Sequence, residues 1–377
     1  MNVIIFFGGK SGEHEVSLRS AAAVARNIDA TKHSIALVGI TKDGRWYLQS
    51  ESELERVKKD ASAGFIIVED ETKAVSVVPG GGANGAFRVG GEAIACDVAF
   101  PVLHGTYGED GTIQGLFEMA NIAYAGCGTM SSALTMDKEK TKAVWRQAGL
   151  PVVPYICLER SDKANTDEFS TIVAKIIDTL SFPLFVKPCC AGSSDGANKA
   201  ENEEALLAAI DEAFLWDDKI LIEKAINARE IECSVTGNSV IADGICTEAN
   251  VRAYIPGEIA PNHTFYSYDA KYNDPNGADL LIPANVDQKM LENIRQLAIK
   301  AYAAVDASGL SRVDFFLDRD TGSLYLNEIN TMPGFTQISM FPKLCQAAGT
   351  SYPELMDILL EEAVSRAKIR SKLKTSR

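Results

Sequence analysis

Residues 312–330 read RVDFFLDRDTGSLYLNEIN, two strand-like runs folded about a turn near Asp320–Thr321. Successive strand side chains point to opposite faces, so Glu328 and Asn330 share one face. Folding about that turn sets Asp314 approximately opposite Glu328. Two carboxylates and an amide oxygen then converge, hard oxygen donors of the kind Mg²⁺ takes while keeping positions for water and phosphate oxygens. Arg312, one face-repeat before Asp314, adds a cation where phosphate or a developing oxyanion would sit. A solvated hairpin face carries the same residue types, and the hairpin alone leaves both readings open.

Three further stretches offer chemistry. NTMPGF (330–335) leads into TQISMFPKL, and Gly334 there presents a backbone N–H suited to an oxyanion hole at a helix entrance. An ordinary Pro-Gly turn reads the same way. KPCCAGSSDG (187–196) follows the apolar run FPLFV, so Lys187 projects from the end of a buried strand. Gly192 and Gly196 bracket a serine pair whose N–H and hydroxyl groups can wrap phosphate oxygens. Lys138 is a second candidate phosphate cation, against the alternative of a solvated helix lysine. Glu223 and Glu230, in LIEKAI…REIE, can accept from ribose hydroxyls; salt-bridged surface acids look identical.

The bulk composition excludes several classes. The chain has 377 residues, with 37 Lys+Arg against 51 Asp+Glu and a formal charge of −14. That balance argues against nucleic-acid or anionic-membrane binding, since both need a basic face. No stretch approaches the roughly 18–20 apolar residues of a membrane-spanning helix, and the N-terminus MNVIIFFGGK lacks the basic flank of an export signal. A cytoplasmic location is expected. The eight cysteines form no CxxC and there are only four histidines, which makes a zinc site a poor fit and reduced thiols the simpler reading.

The elements that must position these residues fall into three units. VIIFF (3–7), SIALVGIT (34–41) and CDVAFPVLH (96–104) read as strands, with helices over 15–28 and TIQGLFEMAN between or after them. That alternation predicts a parallel sheet with helices on its faces, a Rossmann-like unit over 1–128. PGGGANG (79–85) reads as a flexible surface loop and AFRVGGEA as a short strand. Residues 131–148 read as one helix with Lys138 in its middle third, opening a central α+β unit over 129–218. From 219 to 377 the chain is strand-rich, with a polar aromatic-studded segment at 250–280, a helix at 287–306, the hairpin and two closing helices. Five basic residues without an acid mark the tail KIRSKLKTSR as a frayed end.

Two familiar motifs fail. GGKS (8–11) would need glycine at position 4 to complete a Walker A loop, and Ile4 stands there. Gly80, Gly82 and Gly85 match GxGxxG, but no helix follows. A dinucleotide-binding oxidoreductase would account for the first strand–GG–helix and would leave the 312–330 cluster unexplained.

Taken in order, GGKSGEHEVS (8–17), HGTYGEDGTIQG (104–115), SSALTMDK (131–138), VKPCCAGSSDG (186–196), ILIEKAINAREIE (220–232), FYSYDAKY (265–272), SRVDFF (311–316), LNEINTMPGFT (326–336) and SMFPKL (339–344) resemble the D-alanine–D-alanine ligases of the ATP-grasp superfamily. The likeness spans nearly the whole chain. It implies an ATP-grasp fold of mixed α/β and α+β class behind the Rossmann-like domain. It also implies ATP between the central and C-terminal units, two molecules of D-alanine as substrates, two Mg²⁺ ions (Mn²⁺ as a substitute) and a homodimer.

The resemblance further implies roles. Lys138 and Lys187 would hold the ATP phosphates, with Ser194 in the flap, while Glu223, Lys224 and Glu230 would serve adenine and ribose. Asp314, Glu328 and Asn330 would bind metal. Glu13 would receive the first D-alanine's ammonium, and His104 and Glu109 would line its pocket. Arg312 and the Gly334 N–H would stabilise the tetrahedral oxyanion. Ser339 would anchor the second substrate's carboxylate, with Lys271 and Met340 nearby. Ser193 and Tyr272 would join Glu13 in closing the loop over the site.

Cys189, Cys190 and Asp195 depart from the family pattern; Asp195 reads as a flap-tip change that weakens phosphate approach slightly. In relatives that use D-lactate, the position of Tyr272 is often histidine or phenylalanine; in those that use D-serine, the position of Met340 is often arginine or another polar residue. Both positions here match ordinary D-alanine ligases, so D-alanine is the expected second substrate, with D-serine or D-lactate as the alternative. A catalytically silent ATP-binding regulator would not keep Lys187, Arg312, Asp314, Glu328 and Asn330 together.

Overall fold

The computed structural model describes residues 1–164, 166–192, 195–238, 250–261 and 278–374. Ser193, Ser194, Lys271 and Tyr272 lie outside the described residues, as does much of the 250–280 segment.

The first strand, Asn2–Gly8, is apolar because it is central. It pairs in parallel with Ser34–Ile40 on one side and Val98–Val102 on the other, and Val3 to Phe7 are at most 1% exposed. A strand covered on both faces reads as one apolar run, and each such side chain contributes about 2 kcal/mol by burial. Trp46–Leu48 and Ala123–Tyr124 complete the five-stranded sheet. At the exit Gly8 has φ +90°, and a Cβ there would lie 2.2 Å from the Ile40 carbonyl oxygen. Glycine is therefore required for the chain to turn into helix His14–Asn27.

The glycine-rich stretch at 79–85 is pinned, contrary to the flexible loop expected from composition. The Gly80 N–H donates to the Met119 carbonyl (2.7 Å) and the Gly82 N–H to that of Ala120 (3.0 Å), tying it to the end of helix Thr112–Ala120. AFRVGGEA forms two short strands, Phe87–Val89 and Glu92–Ile94, of a three-stranded sheet with Val75–Val77.

The single helix expected at 131–148 is two, Thr129–Met136 and Lys138–Gln147. Asp137 breaks it: its backbone is extended, and its side chain caps the second helix by accepting the Lys140 N–H. Lys138 consequently begins a helix instead of sitting mid-helix.

Tyr155–Glu159, Lys219–Lys224, Leu184–Pro188 and Asn198–Ala200 form a four-stranded antiparallel sheet, which straddles the boundary expected at 218/219. The largest sheet, six-stranded, is built around Ala228–Asn238 and the hairpin Ser308–Asp318 with Leu324–Asn330.

The last helix, Tyr352–Arg370, returns to the first sheet. Its Leu355, Met356, Leu359 and Leu360 share one core with Val3, Ile5 and Phe7. Buried Arg366 donates to the carbonyls of Tyr124 and Gly126 and to the Ser308 hydroxyl, joining the first unit to the large sheet. Among the described residues, no helix is long and apolar enough to cross a membrane.

Candidate active site

A cavity of about 860 Å³ opens between the five-, four- and six-stranded sheets, and every expected site residue among the described ones lines it. Glu13 comes from the start of the first helix, His104 and Glu109 from the turn after Val98–Val102, and Lys138 from the Asp137 break. Lys187 and Glu223 come from the four-stranded sheet. Arg312, Asp314, Glu328 and Asn330 come from the hairpin, and Gly334, Ser339 and Met340 from the turn and helix that follow it.

The hairpin register places Asp314 across from Glu328 and Arg312 across from Asn330, with a bulge after Asp314. Asp314 is 8% exposed, so this is not a solvated face. Asn330 Nδ2 donates to Asp314 Oδ2 at 2.9 Å. Arg312 donates to both oxygens of Asp314, Nε to Oδ1 at 2.7 Å and Nη2 to Oδ2 at 2.6 Å. Its Nε also lies 3.0 Å from Glu232 Oε2, a residue the sequence reading did not single out. Glu232 pairs with Asp314 in the adjacent strand; its spacing of two from Glu230 was the signal available. Lys138 Nζ is 3.7 Å from Glu328 Oε2. The donor set is oxygen-only, convergent and flanked by cations, which fits Mg²⁺ with a phosphate ligand.

On the phosphate side, Lys187 ends its strand 7% exposed. Its ammonium lies 2.8 Å from Glu223 Oε2 and donates to Asn327 Oδ1 at 3.1 Å. Lys142, also missed from sequence, approaches the other oxygen, Glu223 Oε1, at 2.9 Å. It follows Lys138 by four residues and so shares a helix face with it. Burial alone would raise the Glu223 carboxyl; the two lysines outweigh it and hold the group at about 2. Lys142 is fully buried, and desolvation with repulsion from Lys187 lowers its ammonium to about 8 despite the attraction of Glu223. Glu223, expected on the adenosine side, thus faces two lysines. Lys224 donates to the carbonyls of Ser181 and Phe182, and Glu230 lies one face-repeat from Glu232.

The glycine-rich loop is anchored at its start. The Lys138 N–H donates to the Cys189 carbonyl and its ammonium to that of Ala191 (2.6 Å). The Cys190 N–H donates to Asp217. A Cβ on Gly192 would lie 3.1 Å from Glu13 Oε1, so the loop reaches the first helix. Asp195 lines the cavity, and burial with repulsion from Glu13 raises its carboxyl. The described cysteines are free, Cys189 buried and Cys190 exposed.

At the opposite end, ligand atoms of Glu13, His104 and Glu109 lie within 4.8 Å of one another. Burial lowers His104 below the ordinary imidazole range, so it is neutral near pH 7. The hydrogen on its Nδ1 bonds to the Met332 carbonyl (2.8 Å), while Nε2 accepts from the Ser20 hydroxyl. Burial and nearby Glu13 push Glu109 up to about 7, although it accepts the Gly105 and Met332 N–H groups. Ser339 Oγ accepts the Thr336 N–H and would lie 2.7 Å from a Cβ on Gly334. Met340 is 4% exposed and packs against Gly257.

The site thus brings together cations that could hold phosphates, oxygens that could hold a metal and carboxylates that could receive an ammonium. Residues 2–127 match the family model for the D-ala D-ala ligase N-terminus and residues 144–361 that for the C-terminus. The chain belongs to the D-alanine–D-alanine ligase family. It is 53% identical to the D-alanine–D-alanine ligase of Treponema denticola over 377 residues, all of both chains. It is 45% identical to that of Treponema pallidum over 376 residues, covering 100% of this chain and 91% of the relative. Among solved structures, the D-alanine-D-alanine ligase from Coxiella burnetii superposes with a TM-score of 0.81 at 33% identity, covering 99% of this chain and 96% of that one. VanG D-Ala:D-Ser ligase from Enterococcus faecalis superposes with a TM-score of 0.79 at 34% identity, covering 96% and 99%. The fold is therefore the ATP-grasp fold behind a parallel-sheet domain. The activity is ATP-dependent ligation of D-alanine to D-alanine for peptidoglycan synthesis. D-alanine–D-alanine ligases generally need Mg²⁺, and their substrates are D-alanine and ATP.

Proposed function

We propose that the ligation proceeds through an acyl phosphate, with the cavity residues divided between its two halves. A carboxylate is a poor electrophile, so the first D-alanine must exchange an oxygen for a phosphoryl group before an amine can attack. Glu13 receives that substrate's ammonium beside neutral His104 and Glu109. Lys138 and Lys187 hold the nucleotide phosphates, and Lys224 and Glu230 serve the adenosine end, with Glu223 orienting Lys187. Asp314, Glu328 and Asn330 would hold two Mg²⁺ ions, with Mn²⁺ able to substitute, and the metal would neutralise phosphoryl charge during in-line transfer.

In the second half, the deprotonated amine of the second D-alanine attacks the acyl carbon. Arg312 and the Gly334 N–H stabilise the oxyanion, Ser339 anchors the second carboxylate beside Met340, with Lys271 assigned to the same substrate by the family resemblance, and phosphate leaves with the C–O bond electrons. Ser193, Ser194 and Tyr272, by the family resemblance, close the site and keep water from the acyl phosphate. The enzyme acts as a cytoplasmic homodimer. The observation that carries this reading is the meeting, in one cavity, of the hairpin oxygens, the cations Lys138, Lys187 and Arg312 and the Glu13–His104–Glu109 pocket.

Likeness to a D-Ala:D-Ser ligase supports D-serine as a second reading for the acceptor; buried, apolar Met340 favours D-alanine. Purified protein given ATP, Mg²⁺ and D-alanine, alone and with D-serine or D-lactate, should form mainly D-alanyl-D-alanine at neutral pH. Preferential mixed product would overturn the assignment.

A further inference from the structure

The one fully buried lysine described at this site, Lys142, does not reach the cavity, yet touches the carboxylate that holds Lys187. Its side chain is 0% exposed. It lies 2.9 Å from Glu223 Oε1, while Lys187 lies 2.8 Å from Glu223 Oε2. Among the described residues, its only other close polar contact is the Leu326 carbonyl at 3.4 Å. A buried ammonium carries a large desolvation penalty unless it is well paired. Here two ammonium groups share one carboxylate, so the cluster keeps a net positive charge beneath the cavity floor. If Glu223 faced Lys187 alone, the pair would be neutral and its attraction for a phosphate much weaker.

We propose that Lys142 is a positioning residue for nucleotide binding, which occupies half of Glu223 and so leaves the charge of Lys187 directed at phosphate. The inference rests on the reading of Lys187 as the phosphate clamp. The groups that set the charge state of Lys142 come from three strands: Glu223 from Lys219–Lys224, Lys187 from Leu184–Pro188 and, at longer range, Glu328 from Leu324–Asn330. Its own helix also carries Lys138, Glu139, Lys140 and Arg146. Burial holds its ammonium at about 8, so it is mostly charged at neutral pH and neutral well above that.

The test is ADP binding by calorimetry, with Mg²⁺ present, for the wild type, Lys142→Met and Lys187→Met across the pH range around 8. Lys142→Met leaves Glu223 paired with Lys187 and orphans no carboxylate, so it should fold. It should bind ADP about tenfold more weakly than wild type near neutrality, the size of one lost charge acting through protein at several ångströms. That ratio should fall towards unity as pH rises past 8, because the wild-type lysine then loses the same charge. A ratio that does not change with pH would reduce Lys142 to a structural role and overturn the proposal. So would wild-type affinity that stays flat through the same range, a measurement that needs no variant. If Lys187→Met binds ADP normally, the clamp reading itself fails, an outcome separate from either of these.

Discussion

Arg312 and Asp314 form a two-pronged ion pair along one strand, Nε to Oδ1 at 2.7 Å and Nη2 to Oδ2 at 2.6 Å. Both oxygens of Asp314, one of the donors that the metal reading requires, are thereby held by the cation that the oxyanion reading requires. Glu232, 3.0 Å from the same guanidinium, provides a second acidic contact from the neighbouring strand. Any cation bound by Asp314 competes with Arg312 for the same lone pairs.

That competition separates the two roles of Arg312. In Arg312→Met the metal no longer contends with a guanidinium, so Mn²⁺ binding, followed by electron paramagnetic resonance, should tighten severalfold. Turnover should instead fall by about 10²–10³, the usual cost of removing one donor to a developing oxyanion. Unchanged metal affinity would show that the ion pair does not oppose binding. Turnover within a few-fold of wild type would remove Arg312 from the chemistry.

Glu223 gives a prediction in stability and pH. Its carboxyl is held at about 2, against an ordinary 4.5, by Lys142 and Lys187. A carboxyl depressed on folding stabilises the native state at every pH above its unfolded value, and that contribution is lost as pH falls through the folded value. Glu223→Gln would leave two buried ammonium groups without their anion, costing about 3–5 kcal/mol at neutral pH. Urea denaturation should show that deficit from about pH 7 to about pH 5, then narrowing as the unfolded-state carboxyl protonates below its ordinary 4.5 and vanishing as the folded one protonates near 2. A deficit that persists undiminished in acid would mean that the loss arises from packing instead of charge.

These residues also show where the sequence was readable. Asp314 opposite Glu328 follows from period-two alternation and the position of the RDTG turn, both local, and the observed register agrees. The first strand was legible because full burial on both faces leaves an uninterrupted apolar run. The break at Asp137 was not, because the residues on either side keep one helical periodicity and only the capping aspartate marks the boundary. Lys142 and Glu232 were missed for a different reason. A charged residue buried by strands far away in the chain looks like a surface one, and only the pairing of Lys219–Lys224 with Leu184–Pro188, and of Ala228–Asn238 with Ser308–Asp318, brings in their partners.

The turn after the hairpin supports a last prediction about the acceptor. A Cβ on Gly334 would meet Ser339 Oγ at 2.7 Å, closer than real Cβ contacts come. That hydroxyl has little room to retreat, since it accepts the Thr336 N–H at 3.1 Å and lies 2.7 Å from Thr336 Oγ1. Gly334→Ala should therefore turn the Ser339 hydroxyl away from the cavity while leaving the lysines and the hairpin undisturbed. The KM for the second D-alanine should rise about tenfold, the size of one displaced hydrogen bond to a charged carboxylate, with the KM for ATP unchanged. Steady-state kinetics with varied D-alanine, analysed for its two binding events, reads both constants. A matching rise in the KM for ATP would show instead that the substitution disturbs the whole site, and an unchanged acceptor KM would remove Ser339 as the carboxylate anchor.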